Sequence, residues 1–557
     1  MDAPAMTTGS SSQLPESAPN SGITSETLVW TRAAFGLIAG LAVVRVVYAA
    51  VVPLDLVTDE AYYWDWSRHL DWGYYSKPPM IAWIIAASTG LFGDTTFAVR
   101  LPAVLLGTGG LVFAFLLSRR MFDARTGFFA TLLAAACPGN VVMSLLMTID
   151  APLMFFWGAA VYSLWRMLEG GPQRNYWAIA ATLAIGLGVL SKQTMLGVIP
   201  LTGLFLISSK SEWKQLRHAS TWLVPIVAML FLLPVLEWNS RHDWITFQHT
   251  SEHFGSKTEV TPLSLRMARA LEYFASQFGV LSPVTYGTFL TAGIGCLLAF
   301  RSLGRRERFL VAFSIVPLIG VFGLSWLQRV QPNWPAPFYA TGVILVAACL
   351  CSKVGAEWKV WDRFGSQMLW RRAAIATGIA ASLLTYATPF AVTATGIAGT
   401  GLDPTIRLRG WRETAAAIDQ LWADDERVRE VPVIFTENRT PASPVAFYLA
   451  DQPLVDCDNP TGRIISQYDL WPDPAEIGRT GAYVITPAVS GPGQHLMDDA
   501  LAWRELGEIN VPLGAGESRH YKLFRLYGTE DGPTLPADAT PLRKTFADSA
   551  GTDTAIR

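Results

Sequence analysis

The sequence has 557 residues, 51% of them apolar, with 21 tryptophans, 16% charged residues and a formal net charge of −2. Charge content well below the roughly 25% of soluble domains excludes an ordinary soluble enzyme for most of the chain and points to a multi-spanning membrane protein. The near-neutral balance offers nothing for a nucleic-acid partner. Cys137, Cys296, Cys349 and Cys351 fall in apolar segments, so no disulfide framework is expected.

In chain order, residues 1–26 are rich in Ser, Pro and Thr and are expected to form a disordered cytoplasmic tail. They lack the basic start and cleavage site of a signal peptide, so the apolar run that follows is expected to remain as a span. Apolar runs then predict a membrane domain over 27–398, with eleven spans near 28–50, 97–117, 126–146, 151–168, 176–190, 194–208, 220–236, 274–300, 309–326, 335–352 and 373–397. Residues 80–92 are too short to cross and read as an interfacial or re-entrant helix.

Basic residues fix the orientation. Clusters at Arg119/Arg120/Arg125, Arg166/Arg174, Lys210/Lys214/Arg217, Arg301/Arg305/Arg306/Arg308 and Lys353/Lys359/Arg363/Arg371/Arg372 all fall on the cytoplasmic side of this arrangement. The same parity places outside the segments 59–79, 147–150, 191–193, 239–269 and 331–334. Each puts polar groups where a span ends, and five such loops on one face predict a single site at the outer leaflet. After residue 400 the composition changes. Strands are expected at 431–437, 482–486 and 521–527 and helices at 411–422 and 444–450, giving a small α/β domain over 399–528 on the outer side. Residues 529–557, rich in Pro, Thr and Asp, are expected to be disordered.

The segment 59–79, DEAYYWDWSRHLDWGYYSKPP, concentrates the candidate chemistry. Carboxylates held beside a bilayer are functional candidates by default, against the plainer role of an aromatic belt. No phosphate-binding GxxxxGK[ST] loop and no GxGxxG are present. ATP and sugar nucleotides are cytoplasmic, so a donor carried on a membrane lipid suits an outer site. Its phosphate needs cations and its acceptor hydroxyl a general base. Asp59 is the natural base. Lys77 before Pro78-Pro79 could hold a phosphate as a point charge, and Lys192 could do the same or simply snorkel. Asp150 precedes Pro152 and could equally cap a helix. His249 and His253 share one helical face with Glu252 beside them, a spacing found in metal sites, but no third ligand is identifiable. Gln331, Asn333 and Trp334 could bind and stack on a sugar, or the prolines around them only shape a loop.

At these residues the chain resembles the GT-C fold membrane glycosyltransferases that use polyprenyl-phosphate sugars. The resemblance lies in the bacterial branch related to protein O-mannosyltransferases and to the lipid A aminoarabinose transferase. It is carried by DEAYYW (59–64), YYSKPPMIAW (74–83), TIDAPLMFFW (148–157), LSKQT (190–194) and QPNWPAPFY (331–339), in the family's order. It implies an α-helical multi-pass protein that inverts the anomeric centre. The sugar would pass from a polyprenyl-phosphate donor to lipid A, lipopolysaccharide or another envelope glycan at the periplasmic face of the inner membrane.

Carried residue by residue, Asp59 with Glu60 beside it stands where the family's catalytic carboxylate is. Lys77 matches the phosphate-binding lysine, Asp150 the second acidic residue and Lys192 the later lysine. Tyr63, Tyr75, Gln331 and Asn333 fall with the substrate-binding motifs. Two departures, Ser76 where the aminoarabinose transferase has Glu and Asn333 where mannosyltransferases commonly have His, leave a divalent metal and the acceptor class open. Protein O-glycosylation is the alternative inside the enzyme class. A lipid or sugar transporter would show internal repeats and midplane charges, which this sequence lacks.

Overall fold

The computed structural model describes residues 25–254, 262–355, 365–425, 431–471, 477–531 and 535–542. Every expected span contains helix. Among the described residues, five helices are long and apolar enough to cross a bilayer: Ser25–Val51, Thr96–Met121, Ala219–Arg241, Arg305–Leu327 and Gln367–Ala394. A sixth candidate is the pair Leu263–Leu281 and Pro283–Leu298, bent by 114° at Ser282. Ser282 takes a left-handed φ of 76° and Pro283 cannot continue the preceding hydrogen-bond ladder, which accounts for the corner.

The other five expected spans are shorter or more polar helices. The run 126–146 is split at Cys137–Pro138 into Ala124–Ala135 and Pro138–Met143. The remaining four are Asp150–Glu169, Arg174–Val189, Gln193–Ile207 and Ala336–Leu350. Ala336–Leu350 is buried at almost every position, so its apolarity reflects protein packing rather than lipid contact. Hydropathy alone does not separate those two environments. Met80–Phe92 is a helix, as expected of an interfacial segment.

The basic loops gather at one end of the bundle. Arg120 and Arg166 both pair with Glu169, Arg305 pairs with Glu212 and bonds the Leu168 carbonyl, and Lys353 pairs with Asp123.

The C-terminal domain carries a six-stranded mixed sheet: β1 Val433–Phe435, β2 Val455–Cys457, β3 Ala482–Pro487, β4 Ala502–Pro512, β5 Ser518–Tyr527 and β6 Thr540–Pro541. The order is β2-β1-β3-β5-β4-β6, with β2, β1 and β3 parallel and the rest antiparallel. β2, β4 and β6 were not expected, and β6 extends the domain into the tail read as disordered. Alternation assigns the two faces. Val433, Phe435, Tyr483, Ile485 and Leu523 join a core with the helices Trp411–Asp424 and Arg439–Tyr448, while Ile434, Val484, Phe524 and Leu526 form a smaller cluster on the other side.

That first core does not stop at the domain boundary. It continues through Trp64, Trp66, Tyr74 and Ile81 of the segment that follows the first span. The expected small α/β domain therefore shares its core with the end of the helical domain.

Candidate active site at the helix ends

The sequence after the first span turns into the helix Thr58–Ser67. Asp59 and Glu60 fall in its first turn, where negative charge suits the exposed N–H groups. The two then diverge. The Glu60 side chain is fully buried, pairs with Arg100 at 2.9 Å, and accepts from the backbone N–H groups of Val57 at 3.1 Å and Met147 at 2.9 Å. It does not line the cavity described below. This corrects the expectation of a paired catalytic Asp-Glu. Glu60 ties the first loop to the segment leading into Asp150, and that is a positioning task. Asp59 is half exposed and accepts from Arg439 Nη1 at 2.9 Å.

The loop leading to Lys77 is held rigidly. The Tyr74 ring stacks on Trp66 with centroids 4.5 Å apart, and its hydroxyl donates to the His69 carbonyl and accepts from the Asp71 N–H. Gly73 lies under Trp238, where a Cβ would come within 2.7 Å of the indole, so only glycine fits without displacement. Trp238 Nε1 donates to Asp71, and the Thr246 hydroxyl donates to the Tyr74 carbonyl. Beyond Pro79 the N–H of Met80 donates to the Leu190 carbonyl at 3.1 Å, joining this loop to the segment that carries Lys192.

Asp150 opens the helix Asp150–Glu169, but its carboxylate does not cap it. One oxygen accepts from Lys192 Nζ at 2.8 Å and the other from Asn333 Nδ2 at 2.6 Å. Three residues from three separate motifs thus meet on one carboxylate.

These groups surround one cavity of about 1320 Å³, lined by Asp59, Tyr63, Lys77, Asp150, Lys192, Gln331, Asn333 and Arg439 on its polar side and by Val142, Met143, Leu146, Val280 and Phe338 on its apolar side. An apolar chamber of about 90 Å³ adjoins it, sharing Gly139, Met143 and Val280. Lys77 makes no ion pair or side-chain hydrogen bond among the described residues. Burial, then repulsion from Lys192, pulls its ammonium down from 10.5 to about 8, against the opposing pull of Asp59 and Asp150.

Among the expected residues, Tyr75 is not in the cavity wall. Its hydroxyl meets His249 Nδ1 at 3.2 Å, and its N–H donates to Gln467. His249 does line the cavity, while the His253 side chain lies outside the described residues. No three His, Cys, Asp or Glu side chains converge as a metal site among the described residues.

Arg439 was missed in the sequence. It sits in the first turn of Arg439–Tyr448, which starts ahead of the expected helix at 444, with Asn438 as N-cap. A cation is electrostatically misplaced at a helix N-terminus, but with the helix expected to start at 444 the sequence did not show it there.

A family model described as dolichyl-phosphate-mannose-protein mannosyltransferase matches residues 76–238, a stretch containing Lys77, Asp150 and Lys192. The chain is 30% identical over 322 residues to the lipid A galacturonosyltransferase RgtD of Rhizobium johnstonii, covering 57% of this chain and 65% of that one. It is 30% identical over 177 residues to an undecaprenyl phosphate-alpha-4-amino-4-deoxy-L-arabinose arabinosyl transferase of Pseudomonas aeruginosa, covering 30% and 32%. The chain thus spans less than two thirds of the length of these relatives. ArnT from Cupriavidus metallidurans bound to undecaprenyl phosphate superposes with a TM-score of 0.61 at 17% identity, over 90% of this chain and 99% of that one. The apo form of the same protein gives 0.59 over 92% and 100%. The architecture is the GT-C fold of a multi-pass membrane protein with a small C-terminal sheet domain.

Proposed function

We propose that this GT-C chain is an inverting glycosyltransferase that moves a sugar from a polyprenyl-phosphate donor to lipid A, lipopolysaccharide or a related envelope glycan. The site would face the periplasm at the inner membrane. The observation that carries the reading is the convergence of Asp59, Lys77, Lys192 and Asp150 from separate helix ends on one cavity with an apolar wall. A lysine with no ion-pair partner among the described residues suits a phosphodiester, and the apolar side suits an isoprenoid tail. The printed functions of RgtD and the arabinosyl transferase support the donor and acceptor classes.

In the reaction, the acceptor hydroxyl loses its proton to Asp59 as its oxygen attacks the anomeric carbon. The bond from that carbon to the phosphate oxygen breaks on the opposite face, which inverts the centre. Polyprenyl phosphate departs, and Lys77 offsets the charge that develops on it. Lys192, anchored on Asp150, adds a second positive charge. Tyr63 and the turn at Gln331–Asn333 supply the sugar-facing wall.

The test is transfer by the purified protein from undecaprenyl-phosphate sugars to lipid A, compared with Asp59→Asn. Wild-type turnover with a silent variant is the expected result, and normal turnover by the variant removes Asp59 from the base role. Masses of envelope lipids and of secreted proteins from a deletion strain separate glycan from protein acceptors.

A further inference from the structure

Among the described residues the C-terminal domain supplies one cation to the cavity wall, Arg439, and it pairs there with the candidate base. Nη1 donates to Asp59 at 2.9 Å, the guanidinium lies over the Tyr62 ring at 4.6 Å, and its remaining nitrogens make no hydrogen bond among the described residues. Both partners line the cavity, with side chains 36% and 49% exposed. An ion pair so exposed is worth no more than a few-fold in an equilibrium constant, so an incoming anion can displace it. The Tyr62 face keeps the guanidinium in place when its carboxylate partner is exchanged.

The backbone that delivers Arg439 does not share this looseness. Tyr468 donates to Asp65 at 2.8 Å and also meets Ser443 of the arginine's own helix, while Phe447 packs edge-on against Trp64 at 4.9 Å. A rigid mount thus carries a weakly held, forked donor beside the candidate base. Guanidinium suits bidentate capture of an oxyanion, whereas Asp59 offers it one oxygen, Oδ1.

We propose that Arg439 is a donor-binding residue that exchanges partners. Donor binding draws it from Asp59 onto an oxyanion of the donor, which frees the Asp59 carboxylate to accept the acceptor's proton. The oxyanion is the linking phosphate or a carboxylate on the sugar, and the two sources are separable. The proposal rests on the donor reading above, but equilibrium binding tests it without turnover. A protein that shows the binding pattern below and transfers no sugar overturns the transfer reading and leaves this one standing.

The experiment measures affinities of the full chain in nanodiscs for undecaprenyl phosphate, for a neutral hexosyl undecaprenyl phosphate and for a uronosyl undecaprenyl phosphate. Asp59→Asn releases Arg439 beforehand and is expected to bind about threefold tighter, a gain set by the strength of an exposed ion pair. The gain should vanish in Asp59→Asn/Arg439→Gln, and Arg439→Lys should bind more tightly than Arg439→Gln. A gain already present with undecaprenyl phosphate assigns the oxyanion to the phosphate. One confined to the uronosyl ligand assigns it to the sugar carboxylate. Two results overturn the proposal: a gain that persists in the Arg439→Gln background, which is plain charge repulsion, or Asp59→Asn binding all three ligands as wild type does. The second needs no arginine variant to fold.

Discussion

The helix Thr58–Ser67 has two sides that use the same chemistry for opposite ends. On one, Glu60 and Arg100 are sealed from solvent, 0% and 2% exposed, and every contact of the carboxylate is made within the protein. On the other, Asp59 and Arg439 meet at the same 2.9 Å but with large fractions of both side chains open to the cavity. Distance does not separate the two pairs. Solvent access does: a sealed pair is fixed because breaking it strands a charge, while an open pair can be remade with a ligand. The comparison singles out Asp59 as the carboxylate that a ligand in the cavity can reach.

Substitution should break the two sides differently. Asp59→Asn is expected to lower transfer by about 10²–10⁴-fold, the usual range for loss of a general base, with the thermal unfolding midpoint near wild type. Glu60→Gln leaves Arg100 buried without a full counter-charge and should cost about 3–5 kcal/mol of stability, read as a lowered unfolding midpoint and reduced yield. Transfer per folded molecule should fall far less for Glu60→Gln than for Asp59→Asn. Equal catalytic loss in both variants would erase the distinction.

Lys77 lies on the open side and sharpens the contrast through pH. Its ammonium titrates near 8 in the folded protein and near 10.5 when unfolded. Donor binding that needs the charged form should therefore weaken as pH rises through about 8. Stability runs the other way: between about 8 and 10.5 the unfolded chain binds more protons, so this group's contribution to stability rises with pH. Lys77→Met should lower kcat/KM by about 10²-fold, in the range for removing one preorganised charge donor. Lys77→Arg should keep the activity and carry the alkaline limb above 10. A limb that stays near 8 in Lys77→Arg would assign it to another group.

Much of this site was legible in the sequence because its residues cluster at the ends of apolar runs. Asp59, Lys77, Asp150, Lys192 and Asn333 each mark a place where a span stops, and positive-inside parity sends those ends to one side. Glu60 and Asp59 could not be told apart, since burial depends on Arg100, forty residues away in sequence. Arg439 lies in a domain whose docking is written in long-range aromatic contacts such as Trp64 with Phe447, which no local pattern records. Nor does the sequence say whether an apolar helix such as Ala336–Leu350 faces lipid or protein.

The smallest expected effect concerns Asn333, which shares the Asp150 carboxylate with Lys192. Asn333→Ala removes one donor, yet Lys192 continues to hold the other oxygen, so Asp150 is not left unpaired. The loss should stay near the usual net value of one hydrogen bond, about 1 kcal/mol, or roughly fivefold in kcat/KM. Lys192→Met removes the charge and should cost more. The two losses should not add, because each ligand's hold on the carboxylate depends on the other, and contacting residues commonly couple by about 0.5–3 kcal/mol. Additive losses in Asn333→Ala/Lys192→Met would mean that each group acts on the substrate directly rather than through Asp150.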